Sequence, residues 1–162
     1  FRRQMLRIIS HRGYLNGPDS LVENKPSQID LCINCGFDVE VDVRILKGHL
    51  YLGHEKANDI VSISWFKSRI NSLWIHCKNL ESLCYFANHS EKFNFFFHQN
   101  DDFALTSKNV VWTYPGKKIS KNSIALIFEY DEKIIEDVRK KNAYGICTDY
   151  PGKLDHFLKS GN

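Results

Sequence analysis

The chain of 162 residues has a single methionine and no hydrophobic run of membrane-spanning length, so no transmembrane segment is expected in it. It also has no short apolar stretch followed by a small-residue cleavage site, the pattern of a secretory leader. Charge of one sign is not in large excess: 22 Lys and Arg stand against 19 Asp and Glu, a formal net charge of +3. The basic residues are spread along the chain rather than gathered in a patch or stripe, which argues against a nucleic-acid partner. A mild positive balance suits a small anionic substrate. No internal repeat, low-complexity tract or linker divides the sequence, and its length suits one domain over residues 1–162.

Five cysteines are present, but they do not complete a metal motif. Cys32-Ile33-Asn34-Cys35 has the spacing of half a zinc site, and no second Cys-x-x-Cys or His pair completes it. The pair falls in a predicted helix ending at Gly36, so these thiols read as small buried hydrophobes, reduced in a cytoplasmic protein. Met5 reads as the natural start, with Phe1-Arg2-Arg3-Gln4 as an appended prefix, processing scar or flexible end.

What is plentiful is apolar and aromatic: hydrophobic residues make up 43% and aromatics 13%, enough for a substantial core. Short apolar segments predict strands over residues 6–10, 37–46, 50–52, 72–77, 93–98, 110–113, 124–128 and 144–147. Helical spacing predicts helices over 25–35, 80–88 and 131–141. Strands that alternate with helices argue for a parallel α/β architecture.

Within Val39-Glu40-Val41-Asp42-Val43 the two carboxylates share one strand face and the three valines the other. If the valines pack on helices, the acids point into the interior, where they are costly unless neutralised. A bound cation does this simply, because it turns repulsion into ligation. The rival reading is the exposed polar face of an antiparallel sheet. The same alternation aligns Trp74, His76 and Lys78, then Phe96, His98 and Asn100, then Trp112 and Tyr114. Such groups recur at or beyond the carboxyl ends of strands, where parallel α/β folds build their sites.

The stretch Ile8-Ile9-Ser10-His11-Arg12-Gly13, followed by Val22-Glu23-Asn24-Lys25, resembles the opening of glycerophosphodiester phosphodiesterases. Val39-Glu40-Val41-Asp42-Val43 is similar to their Glu-Leu-Asp-Val strand, and Gly48-His49-Leu50 leading to His54-Glu55 to their Gly-x-Leu segment ending in His-Asp. Trp112-Thr113 and Gly145-Ile146-Cys147-Thr148-Asp149-Tyr150-Pro151 resemble the closing motifs. The resemblance implies a TIM-type (β/α) barrel, here reduced or incomplete with about seven main parallel strands, because such barrels usually need about 200 residues or more. An open edge of that barrel would be covered by the amino-terminal segment or by another subunit, as an oligomer.

The implied activity is divalent-metal-dependent hydrolysis of a small-molecule glycerophosphodiester, releasing glycerol phosphate and an alcohol. By resemblance, His11 and His54 are the general acid and base in either order, Arg12 and Lys78 hold the phosphate, and Glu40 and Asp42 ligate the metal, with Glu23 in or beside that shell. The expected ion is Mg or Ca. His76 stands where the family offers a Glu ligand, which brings Mn or Zn into consideration; otherwise Asp101 or Asp102 supplies the third ligand, unless these acids are a helix cap and a solvated loop. Glu55 replaces the family's Asp, and Val22 its Pro. The alternatives are a catalytically weak phosphate-binding module and a related phospholipase or lyase that forms a cyclic phosphate.

Overall fold

Alternation along the second strand sets the layers. Val39, Val41 and Val43 are fully buried on one face, while Glu40 and Asp42 are buried on the other. The computed structural model describes residues 5–161, so the reading of the four-residue prefix lies outside the described residues. The strands are β1 (Arg7–His11), β2 (Asp38–Leu46), β3 (His49–Leu52), β4 (Asp59–Val61), β5 (Leu73–Cys77), β6 (Phe95–Phe97), β7 (Phe103–Leu105), β8 (Val111–Thr113), β9 (Ser123–Ile127) and β10 (Gly145–Thr148). The helices are α1 (Pro26–Asn34), α2 (Ile63–Lys67), α3 (Leu80–Ala87), α4 (Glu132–Lys140) and α5 (Pro151–Ser160).

The expected TIM-type barrel, reduced or incomplete, is not what these elements form. They make one mixed, open sheet of ten strands with five helices. Parallel pairing runs through β6, β5, β2, β1, β10, β9 and β8. β3 and β4 continue from β2 as an antiparallel meander, and β7 is antiparallel to β8. Among the described residues no ladder joins β6 to β7. Ser107 alone reaches across: its N–H donates to Phe95 O at 2.8 Å, and Phe95 N–H donates to Ser107 Oγ at 2.9 Å. The reason is local. No helix lies between β6 and β8, or between β8 and β9, so the crossover layer that a closed parallel barrel requires is absent on that side.

Helices cover the outer face in two places. α1, α2 and α3 bring Ile29, Cys32, Phe66 and Phe86 onto the valines of β2 and onto Leu73, Ile75 and Cys77 of β5. α4 and α5 bring Ile135, Val138 and Leu154 onto Ala125, Ile127 and Ile146. The inner face is aromatic, with Trp74, Phe96 and Trp112 packed among Ile9, Ile124, Leu126 and Cys147. Helix ends follow their chemistry. Pro26 opens α1, Asn79 and Ser82 form a capping box on α3, and Asp131 accepts from Lys133 N and Ile134 N to start α4.

The five cysteines are free thiols; Cys32, Cys77 and Cys147 are buried, whereas Cys35 and Cys84 are exposed. Cys35 thus departs from the expected buried pair. Among the described residues no helix is long and apolar enough to cross a membrane.

Gly145 begins β10 where it pairs with Arg7 of β1, and a Cβ there would lie 2.5 Å from Arg7 O. Gly145→Ala should therefore force β1 and β10 apart and destabilise the fold by about 1–3 kcal/mol. Urea unfolding followed by circular dichroism checks this.

Candidate active site

Strand register assembles the site. Glu40 is paired with His11 across β1 and β2, and Asp42 with His76 across β2 and β5. All four side chains belong to the inner face, at the carboxyl end of the parallel strands. Glu40, Asp42 and His76 each offer one ligand atom, and those atoms lie within 4.8 Å of one another. The cysteines do not join them.

Asp42 is fully buried and its two oxygens have different surroundings. Oδ2 accepts from Asn24 Nδ2 at 2.9 Å, and Asn24 Oδ1 in turn accepts from Asp42 N at 3.0 Å. Asn24 can reach both groups because its backbone is left-handed, with φ 55°, a region that Asn tolerates better than most residues. Oδ1 has no hydrogen-bond partner. His76 Nδ1 lies 3.3 Å from it and 3.6 Å from Glu40 Oε1, close enough for charge attraction without the alignment of a hydrogen bond to Oδ1. An orphaned carboxylate oxygen this deep is costly, and a cation bound by the three side chains would satisfy it. The donor set fits a divalent metal.

His11 is held by Asp149, which follows β10: Nδ1 lies 2.6 Å from Asp149 Oδ1, leaving Nε2 for proton exchange. Its ring also lies 4.9 Å from that of Phe128. His54 follows β3 in a loop that Gly53 N anchors to Asp42 O at 3.0 Å, and the Arg44 guanidinium donates to the carbonyls of Gly53 and His54. Arg12 Nη2 lies 3.0 Å from His54 Nε2, and Arg12 Nη1 donates to Glu23 Oε1 at 3.2 Å. Glu23 Oε2 accepts from Tyr14 OH at 2.8 Å. Glu23 is therefore engaged in fixing Arg12 rather than placed in the Glu40–Asp42–His76 group. Burial opposes charge on Arg12, but Asp42, Glu40 and Glu23 outweigh it and raise its pKa further above the usual value.

The site opens on a cavity of about 740 Å³. His11, Arg12, Glu40, His54, His76 and Lys78 all line it, so the sequence-predicted catalytic and phosphate-binding residues meet in one place. Lys78 makes no ion pair among the described residues. Aromatic rings complete the wall: His76 stacks on Phe96 at 4.9 Å and 12°, and His98 on Tyr114 at 3.7 Å and 18°. Asp101 and Asp102 do not supply a third ligand or cap a helix. They flank the start of β7, where Asp101 O faces His98 Nε2 at 2.6 Å and Asp102 pairs with Lys117 at 3.2 Å.

Two residues received no role from the sequence reading. Asp149 lies in the closing motif, one position beyond a strand end, and Asn24 in the segment Val22-Glu23-Asn24-Lys25. Motif membership alone does not show Asn24's paired hydrogen bonds to Asp42, which depend on a left-handed backbone.

No protein-family profile, curated protein or solved structure matches this chain.

Without a metal, the acids are balanced by protons. Burial opposes the charge on His76, but Asp42 and Glu40 overcome it and raise its pKa from 6.5 to about 9. Asp42 is also opposed by burial, yet His54, His76 and Arg12 hold it well below the usual carboxylate range. A raised His pKa stabilises the fold fully below the unfolded value, near 6.5, and the contribution is lost as pH rises through about 9. In chelator, the stability advantage of wild type over His76→Gln should be largest at about pH 6 and decline towards about pH 9.5. Urea titrations across that range measure it.

Proposed function

We propose that the chain is a metal-assisted phosphodiesterase acting on small glycerophosphodiester-like substrates. The observation that carries this reading is the convergence of His11, His54, Arg12 and Lys78 on the one cavity that Glu40 and His76 also line. A phosphodiester is anionic and repels nucleophiles, so its charge must be spread before an oxygen can attack. Bound at Glu40, Asp42 and His76, a divalent ion would supply Lewis-acid polarisation of a phosphoryl oxygen.

The chain's own groups do the rest. Lys78 faces the cavity without an ion-pair partner among the described residues and meets a phosphate oxygen. Arg12, fixed by Glu23, adds a second positive charge beside His54. One histidine removes the proton of the attacking hydroxyl or water, and the other returns a proton to the leaving oxygen. Asp149 holds the His11 ring in one orientation and one tautomer, with Nδ1–H towards the carboxylate. The phenyl and indole rings of Phe128 and Trp112 line the same cavity and limit water around the reacting group. This reading takes a small-molecule phosphodiester rather than nucleic acid as partner, and five free thiols suit a cytoplasmic setting.

His11→Ala and His54→Ala should each lower turnover of glycerophosphodiesters by about a hundredfold or more, in proteins that circular dichroism shows to be still folded. Phosphorus NMR follows both substrate loss and any cyclic phosphate formed. Near-wild-type turnover in His11→Ala would sink the proposal. Asp149→Asn should lower kcat by a comparable factor, about a hundredfold or more, with KM little altered, because it releases the ring without touching the phosphate.

A further inference from the structure

Resting on the reading above that Glu40, Asp42 and His76 hold a divalent ion, we infer that this site is built for a first-row transition ion of the Mn(II)-to-Zn(II) kind and discriminates against Mg(II) and Ca(II). The donor set is the first ground. Two carboxylates and one imidazole are gathered within 4.8 Å. Calcium takes six to eight oxygen ligands and magnesium demands an octahedron of oxygens, whereas imidazole suits Fe, Ni, Cu and Zn, and affinity at a mixed nitrogen and oxygen site rises along the first row from Mn.

The way His76 is held is the second and independent ground. Its ring is clamped in a near-parallel stack on Phe96, with centroids 4.9 Å apart and planes 12° apart. Nε2 lies 3.4 Å from the backbone carbonyl of His98. That carbonyl accepts only, so Nε2 keeps a hydrogen whether the ring is neutral or charged, and a metal that displaces the Nδ1 proton would meet a lone pair turned towards Glu40 and Asp42. A ring nitrogen fixed in this way, with its other N–H on a main-chain carbonyl, is the arrangement that orients metal-ligating histidines. The buried, unpartnered Oδ1 of Asp42 faces the same point, 3.3 Å from Nδ1. With that proton displaced, three lone-pair donors would converge where neither Nε2 nor Asn24, which is engaged on Oδ2, offers a hydrogen. An oxygen-preferring ion would have to accept the nitrogen or ignore it, against a ring that the Phe96 stack holds in place.

Calorimetric titration of metal-free protein with Mn(II), Co(II), Zn(II), Mg(II) and Ca(II) tests this, with the visible spectrum of the Co(II) form as a second readout. Wild type should bind Mn(II), Co(II) and Zn(II) and give Co(II) ligand-field bands that Asp42→Asn abolishes. His76→Glu should lower the Zn(II)-to-Ca(II) affinity ratio by at least about tenfold and change the Co(II) bands. An unchanged ratio in His76→Glu, or Ca(II) binding in wild type as tight as Mn(II) and Zn(II), would overturn the inference, as would no binding by folded wild type. Selective binding without turnover of any glycerophosphodiester would instead leave this inference standing and refute the activity.

Discussion

Two buried carboxylates on one face of β2 are the constraint around which the rest of the site is organised. Glu40 and Asp42 are 2% and 0% exposed, and like charges so placed are tolerated only with positive or donating groups on every side. Arg12, His54, His76 and Asn24 come from four different segments, and each reaches one or both acids or their immediate partners. Folding this region therefore means closing an electrostatic cluster. The strained turn after β1, with Arg12 at φ 55°, is tolerated because it delivers the guanidinium to Asp42 and Glu23.

The sheet supplies what the cluster needs geometrically. Parallel pairing of β1, β2 and β5 places His11, Glu40, Asp42 and His76 in register at one end, and the antiparallel turn back through β3 brings His54 over them. On the far side, Asp149 directly follows β10 and buttresses His11 from the opposite flank. The two acids thus face cations from the strands on either side, while the helices of the outer layer bury mainly apolar side chains against β2 and β5.

Much of this was legible in the chain, for a definable reason. Alternation in Val39-Glu40-Val41-Asp42-Val43 has a period of two, and period alone decides which residues share a face. The strand that carries His76 was equally readable, as was α4, with its acidic start and basic end. What could not be read was closure. Three-residue strands such as β4 and β7, and the five-residue helix α2, are too short to display a period. The antiparallel direction of β7 depends on a turn at Thr106 to Asn109 whose φ of 61° at Asn109 does not show in hydrophobic pattern. The expectation of a barrel followed from resemblance at the motifs, which cluster in the first half and say little about crossovers missing from the second. Glu23 illustrates the same limit: its motif position suggested a ligand, while Tyr14, three residues past His11, claims its second oxygen.

The gap between β6 and β7 carries a consequence for how the molecule can move. Across it, the few hydrogen bonds of Ser107 stand in for a ladder and are joined by ring contacts between β6 and β8, with Phe96 against Trp112 at 4.7 Å and 30°, and by the stack of His98 on Tyr114. A ladder resists sliding because each hydrogen bond has a direction, whereas stacked rings keep most of their attraction through small displacements. The cavity is thus walled by two kinds of bonding: a directional ladder and a charge cluster on the β1–β2–β5 side, and largely non-directional ring contact on the β6–β8 side.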